Sequence, residues 1–303
     1  AIKGERHDGH RYIREVYDAG VRNFMVETAP EESFSGASFI LVKNATLSFQ
    51  VLAAHHRASF HIPVIGITGS NGKTIVKEWL NVLLSDEYYI VRSPKSYNSQ
   101  IGVPLSVWNI DESHQLGIFE AGISQPGEME RLAKVIQPTI GVFTSIGTAH
   151  SENFLSRRQL IGEKLNLFAK TDIIICPEDA DLMQLVLPWA PIKQIVFIPD
   201  AWGSRTSSHH HHTFVKLNWR DHEHPFEIPF TDRASVENAI TCIYTMLVME
   251  YHPDEIQSRL VRLSPLEMRL QLIDGENDCV IVNDAYSNDL QSLEIALDFL
   301  QQH

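Results

Sequence analysis

Apolar positions along this 303-residue chain group in two ways, as short continuous runs and as arcs of helical spacing. Runs near residues 62–67, 88–92, 116–120, 139–144, 172–176 and 194–198 predict strands. Between them, arcs near 73–85, 126–136, 157–170 and 179–187 predict helices. Strands and helices in alternation predict an α/β fold, a mainly parallel sheet covered on both faces. Residues 1–60 predict a smaller α/β unit, with a helix near Gly9–Ala19, a strand at Phe39–Val42 and a helix at Leu47–Ser59. Residues 213–219 and 224–230 predict a hairpin, followed by a long helix from Ala234 to about Tyr251. Leu263-Ser-Pro265 predicts a boundary, beyond which strands at 268–273 and 279–283 and a helix at 290–301 begin a third region. The chain thus divides into 1–60, 61–263 and 264–303. A strand pair and one helix do not complete an α/β domain, so the last region is expected to be incomplete.

The strand at 62–67 runs into Thr68-Gly-Ser-Asn-Gly-Lys-Thr74, and Ile75, Val76, Trp79, Leu80, Leu83 and Leu84 then recur at helical spacing. Strand, glycine-rich turn, Gly-Lys-Thr and helix form the context of a phosphate-binding loop. Backbone N–H groups of Gly69, Ser70, Asn71 and Gly72 and the positive end of the helix would face phosphates. Lys73 would reach the outer phosphoryl oxygens, and the Thr74 hydroxyl would ligate Mg²⁺. The first glycine usual in such loops would fall at position 67, which is Ile67. The bland alternative is a chance glycine turn ahead of a helix.

Composition narrows the partners. Twenty-five basic against thirty-eight acidic residues give a formal charge of −13, which argues against a nucleic-acid surface. Apolar residues make up 44%, and no apolar run approaches the ~20 residues of a membrane span. The three cysteines, Cys176, Cys242 and Cys279, are widely spaced in apolar surroundings, which suits a reducing cytoplasm. His209–His212 form a run that reads as a solvent-exposed loop with adventitious metal affinity, a native metal site being the alternative.

Three further residues carry candidate chemistry. Glu120 ends the strand 116–120, at the sheet edge where open α/β proteins bind ligands and where a Mg²⁺ ligand is needed. His150 follows the strand at 139–144 across a short loop containing Gly147, from the same predicted edge. Lys164 lies within the apolar arc formed by Leu160, Ile161, Leu165 and Phe168. Such a lysine either snorkels outward or has its charge altered, because desolvation lowers an ammonium pKa.

Thr68–Thr74 resembles the ATP loop of the Mur ligases, the amide-forming enzymes of peptidoglycan precursor synthesis. Ser96-Tyr-Asn-Ser-Gln-Ile-Gly-Val-Pro-Leu105, Phe119-Glu-Ala-Gly-Ile-Ser-Gln-Pro-Gly-Glu128 and Ile146-Gly-Thr-Ala-His-Ser-Glu-Asn-Phe154 resemble further blocks of that family, in the family's order. Lys3–His10 and Tyr97–Leu105 are similar to the member that adds D-alanyl-D-alanine to UDP-N-acetylmuramoyl-tripeptide. Met268-Arg269 and Asn283–Asp289 are similar to the entry into the family's carboxy-terminal domain. On this resemblance 1–60 would bind the UDP-substrate, 61–263 would be the central ATPase domain, and 264–303 would begin a Rossmann-like domain. Ala1 begins inside the first of these blocks, so the start of the chain reads as trimmed. Ser151–Phe154 and Tyr286–Asp289 are similar to the variant fused to an alanine racemase, and pyridoxal phosphate is implied only if such a domain follows.

The resemblance implies ATP and two Mg²⁺ sites. It carries over a carbamylated lysine, fourteen residues after the family's histidine, onto Lys164, which follows His150 at that interval. Glu120, His150 and Lys164 would then share a metal, with Thr74 at the other. Asn238 matches an adenine-side position, although Ala234-Ser235 stand where the family usually has His-Asn. Arg269 and Asp284 match positions near the γ-phosphate and the ribose, and Asn98 matches a substrate-facing asparagine or serves as a turn and cap residue. The reaction implied is ATP-dependent amide formation through an acyl phosphate, with this chain alone expected to be inactive. A folylpolyglutamate synthase-like ligase and a non-catalytic nucleotide-binding fragment are the alternatives. Oligomeric state is not legible in the sequence.

Overall fold

A computed structural model describes the chain except residues 5–6, 148–152, 201–204, 210–211, 277–278, 287–289 and 303. The first region holds α1 (Ile13–Asp18), β1 (Asn23–Val26), β2 (Ser38–Leu41) and α2 (Ala45–Ala58). The strands β1 and β2 pair in parallel. A 3-10 turn at Gly9–Tyr12 leads into α1, so the helix expected near Gly9–Ala19 is shorter and begins as a tighter coil. Asp8 starts that turn by accepting from the His10 backbone N–H at 3.0 Å. Asn44 caps α2 in the same way, accepting from Leu47 N at 2.8 Å.

The main body alternates as expected. It contains β3 (Val64–Thr68), α3 (Lys73–Leu84), β4 (Ile90–Arg92), α4 (Gly102–Val107), β5 (Leu116–Glu120) and α5 (Glu128–Ile136). It continues through β6 (Ile140–Phe143), α6 (Arg157–Leu165), β7 (Ile173–Pro177), α7 (Ala180–Val186) and β8 (Gln194–Ile198). Its six strands form one parallel sheet in the order β4-β5-β3-β6-β7-β8. Every residue of β3 and β5 is buried, which is why both read as unbroken apolar runs. One face of the sheet packs on Val76, Trp79, Leu80 and Leu83 of α3, the other on Leu132 of α5 and on Leu160 and Phe168.

The predicted hairpin exists as β10 (His212–Trp219) and β11 (His222–Ile228), with β9 (Arg205–His209) added on its open side. Of the histidine run, His209 and His212 are paired strand positions, whereas His210 and His211 lie outside the described residues. Val215, Leu217, Phe226 and Ile228 turn the hairpin's apolar face into the core shared with α8 (Arg233–Val248). The chain closes with α9 (Pro253–Leu260), β12 (Gln271–Asp274), β13 (Val280–Asn283) and α10 (Leu290–Gln302).

Two expectations shift for local reasons. The helix expected over 157–170 changes to 3-10 geometry at Asn166–Phe168. The strand expected from 268 begins only at Gln271, because Met268 and Leu270 take left-handed backbone conformations, φ 60° and 48°. Among the described residues, no helix is long and apolar enough to cross a membrane.

Candidate functional site

The segment Thr68–Thr74 leaves the carboxyl end of β3, in the middle of the sheet, and wraps onto the first turn of α3. Ile67 is fully buried, paired with Glu120 on one side and Val142 on the other. That position belongs to the strand, and the turn begins at Gly69, which accounts for the isoleucine where a glycine is usual. Gly69 has φ +146°, and a Cβ there would lie 2.1 Å from Thr144 Oγ1. Gly72 has φ +84° as the cap of α3, and a Cβ there would lie 2.2 Å from Asn238 Oδ1. Asn238, on α8, is thereby packed against the loop although 166 residues separate it from Gly72.

Side chains and backbone of the strand β6 exit brace the turn from behind. Ser70 N donates to Ser145 O at 2.9 Å, and Asn71 N donates to Ser145 Oγ at 2.9 Å. Thr144 Oγ1 donates to Asn71 O at 2.5 Å. Thr144 and Ser145 were not singled out in the sequence, and only their position after a buried strand could have marked them. Lys73 Nζ donates to the carbonyls of Gly69 at 3.0 Å and Ser70 at 2.9 Å, so it lies along the loop's concave side.

Thr74 and Glu120 meet. The Thr74 hydroxyl lies 2.8 Å from both Glu120 Oε2 and Ser96 Oγ. Glu120 is wholly buried, and its Oε1 has no hydrogen-bond partner. Burial pushes the Glu120 pKa up, and Lys77, Lys73 and the Thr74 hydrogen bond oppose that shift. A buried carboxylate oxygen without a donor, beside a hydroxyl, is a hard oxygen set that fits Mg²⁺.

Lys164 is 5% exposed, so it does not snorkel. Its Nζ lies 3.1 Å from Ser70 Oγ, which in turn accepts from Gly147 N at 2.9 Å. Burial, with Lys73 nearby, lowers the Lys164 pKa to about 7. His150 lies outside the described residues; Gly147, before it, is at the loop. Among the described residues no cluster of three or more histidine, cysteine or acidic side chains is arranged to hold a metal.

Arg269 reaches the same place from beyond the 264 boundary. Its Nη2 donates to Thr74 Oγ1 at 3.1 Å and to Ser96 Oγ at 3.2 Å, and its guanidinium lies over the Tyr286 ring. Met268 and Leu270 flank it with positive φ values, a left-handed backbone on either side of the arginine. Asp284 lies next to Arg269, its Oδ1 accepting from Leu270 N at 3.2 Å.

Two cavities adjoin these residues. One, of about 320 Å³, lies between Lys73, Lys164 and the segment Asn98–Ile101, with Gly122–Ser124 and Glu128 on its rim. Asn98 O accepts from Gly122 N at 2.9 Å, which holds that segment against the end of β5. The other, of about 740 Å³, lies beyond the ends of β6, β7 and β8 and is lined by Thr144, Glu178, Asp232, Glu237 and Phe299 among others.

Strand order, turn and helix define a phosphate-loop α/β protein. Residues 67–246 match the Mur ligase middle domain, and the chain belongs to that family. The UDP-N-acetylmuramoyl-tripeptide–D-alanyl-D-alanine ligase of Bacillus subtilis is 26% identical over 99% of this chain, which spans 66% of that protein. The ligase of the same name from Borreliella burgdorferi is 28% identical over 96% of the chain and 65% of its own length. The chain thus spans just under two thirds of these relatives. MurF from Acinetobacter baumannii superposes with a TM-score of 0.87 at 23% identity, covering all of this chain and 68% of that one. MurF from Thermotoga maritima, solved with ADP, gives 0.85 at 23% identity, covering 99% and 70%. FPGS of L. casei shares the fold more distantly, with a TM-score of 0.68 at 14% identity over 87% of this chain and 77% of that one.

Proposed function

We propose that this chain carries the ATP-binding and acyl-activating part of a ligase that adds D-alanyl-D-alanine to UDP-N-acetylmuramoyl-tripeptide. The observation that carries this reading is the meeting of Arg269, Thr74, Ser96 and Glu120 at the phosphate loop. Residues far apart in the chain converge there on the place where a γ-phosphoryl group would lie. The names of the relatives supply the substrate pair, and the ADP complex of one supplies the nucleotide.

The substrate carboxylate would attack the γ-phosphorus of ATP, releasing ADP and leaving an acyl phosphate. The amine of D-alanyl-D-alanine would then add to the acyl carbon, and phosphate would leave with one carboxylate oxygen. The protein's part is orientation and neutralisation of charge. In this reading the N–H groups of Gly69–Gly72 cradle the phosphates, with Lys73 along them and Arg269 at the outer end. Asn238 and Asp284 would bind the adenine and ribose. Asn98, on the wall of the smaller cavity, would face the acyl substrate. Residues 1–60 would hold its uridine nucleotide, and 61–263 and 264–303 would close on ATP.

Mg²⁺ at two positions would neutralise the transferring charge, Thr74 serving one and Glu120, His150 and a carbamylated Lys164 the other. Carbamylation is supported by the burial of Lys164 and by its pKa of about 7, since CO₂ reacts with the neutral amine. The folylpolyglutamate-type alternative has less support, because the D-alanyl-D-alanine-adding relatives align over nearly the whole chain.

The test is ADP release by the full-length protein with UDP-N-acetylmuramoyl-tripeptide, with and without D-alanyl-D-alanine, because this chain alone is expected to be inactive. Release that requires both supports the reading. Turnover with folate in their place would replace it with the alternative.

A further inference from the structure

Lys77 is a lysine that the proposed chemistry leaves without a role. It lies on α3 one turn after Lys73 and is 0% exposed, in a helix whose other buried positions are mostly apolar. A buried amine is tolerated only with its donors used, and here they are. Nζ donates to Ser93 O at 2.7 Å and to Lys95 O, and it pairs with Glu78 Oε1 at 3.1 Å. Glu120 Oε1 is farther, at 3.9 Å. Both carbonyls belong to the segment immediately before Ser96, whose hydroxyl meets Thr74 and Arg269. The same segment continues into Asn98–Ile101, one wall of the 320 Å³ cavity that faces Lys73 and Lys164. Its far end is tied to the first region, where Gln50 Nε2 donates to Gln100 O at 2.9 Å and to Gln100 Oε1 at 3.0 Å.

We propose that Lys77 is a positioning residue. It ties the 93–96 segment to the helix that carries Lys73 and Thr74, and so sets the distance between the phosphate loop and the acyl-substrate wall at Asn98–Ile101. The proposal rests on the ligase reading for the identity of that substrate, while the tie itself rests on geometry alone. A role confined to neutralising Glu120 predicts a changed Mg²⁺ requirement with the wall in place.

The experiment compares Lys77→Met and Lys77→Gln with the parent protein by two readouts. Hydrogen exchange of the ligand-free protein is expected to quicken across 93–101 in the Met variant while β3 and β6 keep their protection. In steady state, KM for UDP-N-acetylmuramoyl-tripeptide is expected to rise about tenfold or more, with KM for ATP changed by less than about threefold. The Gln variant, which still donates to a carbonyl, should fall between. Destabilisation alone lowers the active fraction, and therefore kcat, without moving either KM. Unchanged exchange at 93–101, a fall in kcat with both KM values unmoved, or failure of both variants to fold would overturn the proposal. If the full-length protein shows no ligase turnover, the ligase reading falls, and exchange at 93–101 still decides whether Lys77 holds the wall.

Discussion

Thr74 and Glu120 are joined by a 2.8 Å hydrogen bond between the first turn of α3 and the last residue of β5. It leaves one oxygen of a wholly buried carboxylate satisfied and the other without a hydrogen bond. A folded core normally pairs both. In the proposed site the open oxygen would meet Mg²⁺, so that function and stability at Glu120 would pull in opposite directions.

Glu120→Gln should show that opposition. Burial raises the Glu120 pKa, so ionisation costs stability at every pH above the ordinary carboxylate range, most fully above the raised folded value. The amide removes that cost. The unfolding midpoint of the ligand-free variant at pH 7 should equal or exceed the parent's in a thermal scan, while ADP release drops to background. A midpoint several degrees below the parent's would show that the charge is stabilising.

Gly72→Ala tests the cap of α3. The φ of +84° and the 2.2 Å approach of a Cβ to Asn238 Oδ1 forbid the methyl group without movement of the loop or of α8. A loss of about 1–3 kcal/mol in denaturant unfolding is expected from the backbone conformation alone. Affinity for a non-hydrolysable ATP analogue, measured by calorimetry, should fall with it. Unaltered affinity would remove the phosphate-loop role.

Lys164 gives a pH dependence with a defined sign. Its folded pKa of about 7 lies below that of an unfolded lysine, so between the two values the unfolded chain binds more protons and stability rises with pH. Below pH 7 both states are protonated, the cost is fully present and this slope vanishes. In CO₂-free buffer the denaturant midpoint of the parent should climb from pH 7 toward pH 10 relative to Lys164→Met, which lacks the group. Parallel curves for the two proteins would contradict the burial of this amine. Added bicarbonate should raise ADP release by the parent and leave the Met variant inactive.

Much of this site was legible in the sequence because its parts lie at strand ends. Buried parallel strands read as apolar runs, and Thr68–Thr74 and Glu120 follow or finish such runs directly. Lys164 was legible as a charge inside an apolar arc, and it is buried. Thr144, Ser145, Ser96 and Lys77 were missed, since they are placed by contacts across 16 to 173 residues of chain and their types are unremarkable on strand exits, loops and helices. The strand β9 was missed because its Arg-Thr-Ser-Ser-His sequence has no apolar alternation, and it is held by pairing with β10. β1 and α4, of four and six residues, were also missed.

Activation of a carboxylate by phosphoryl transfer is the central claim, and an oxygen label tests it most directly. UDP-N-acetylmuramoyl-tripeptide labelled with heavy oxygen in its terminal carboxylate is incubated with the protein, ATP and D-alanyl-D-alanine, and the released phosphate is analysed by mass spectrometry. Passage through an acyl phosphate predicts one heavy oxygen in each phosphate formed from fully labelled substrate, in step with the amide product. Unlabelled phosphate released alongside ADP would mean that water, not the substrate carboxylate, receives the phosphoryl group, and would contradict the account.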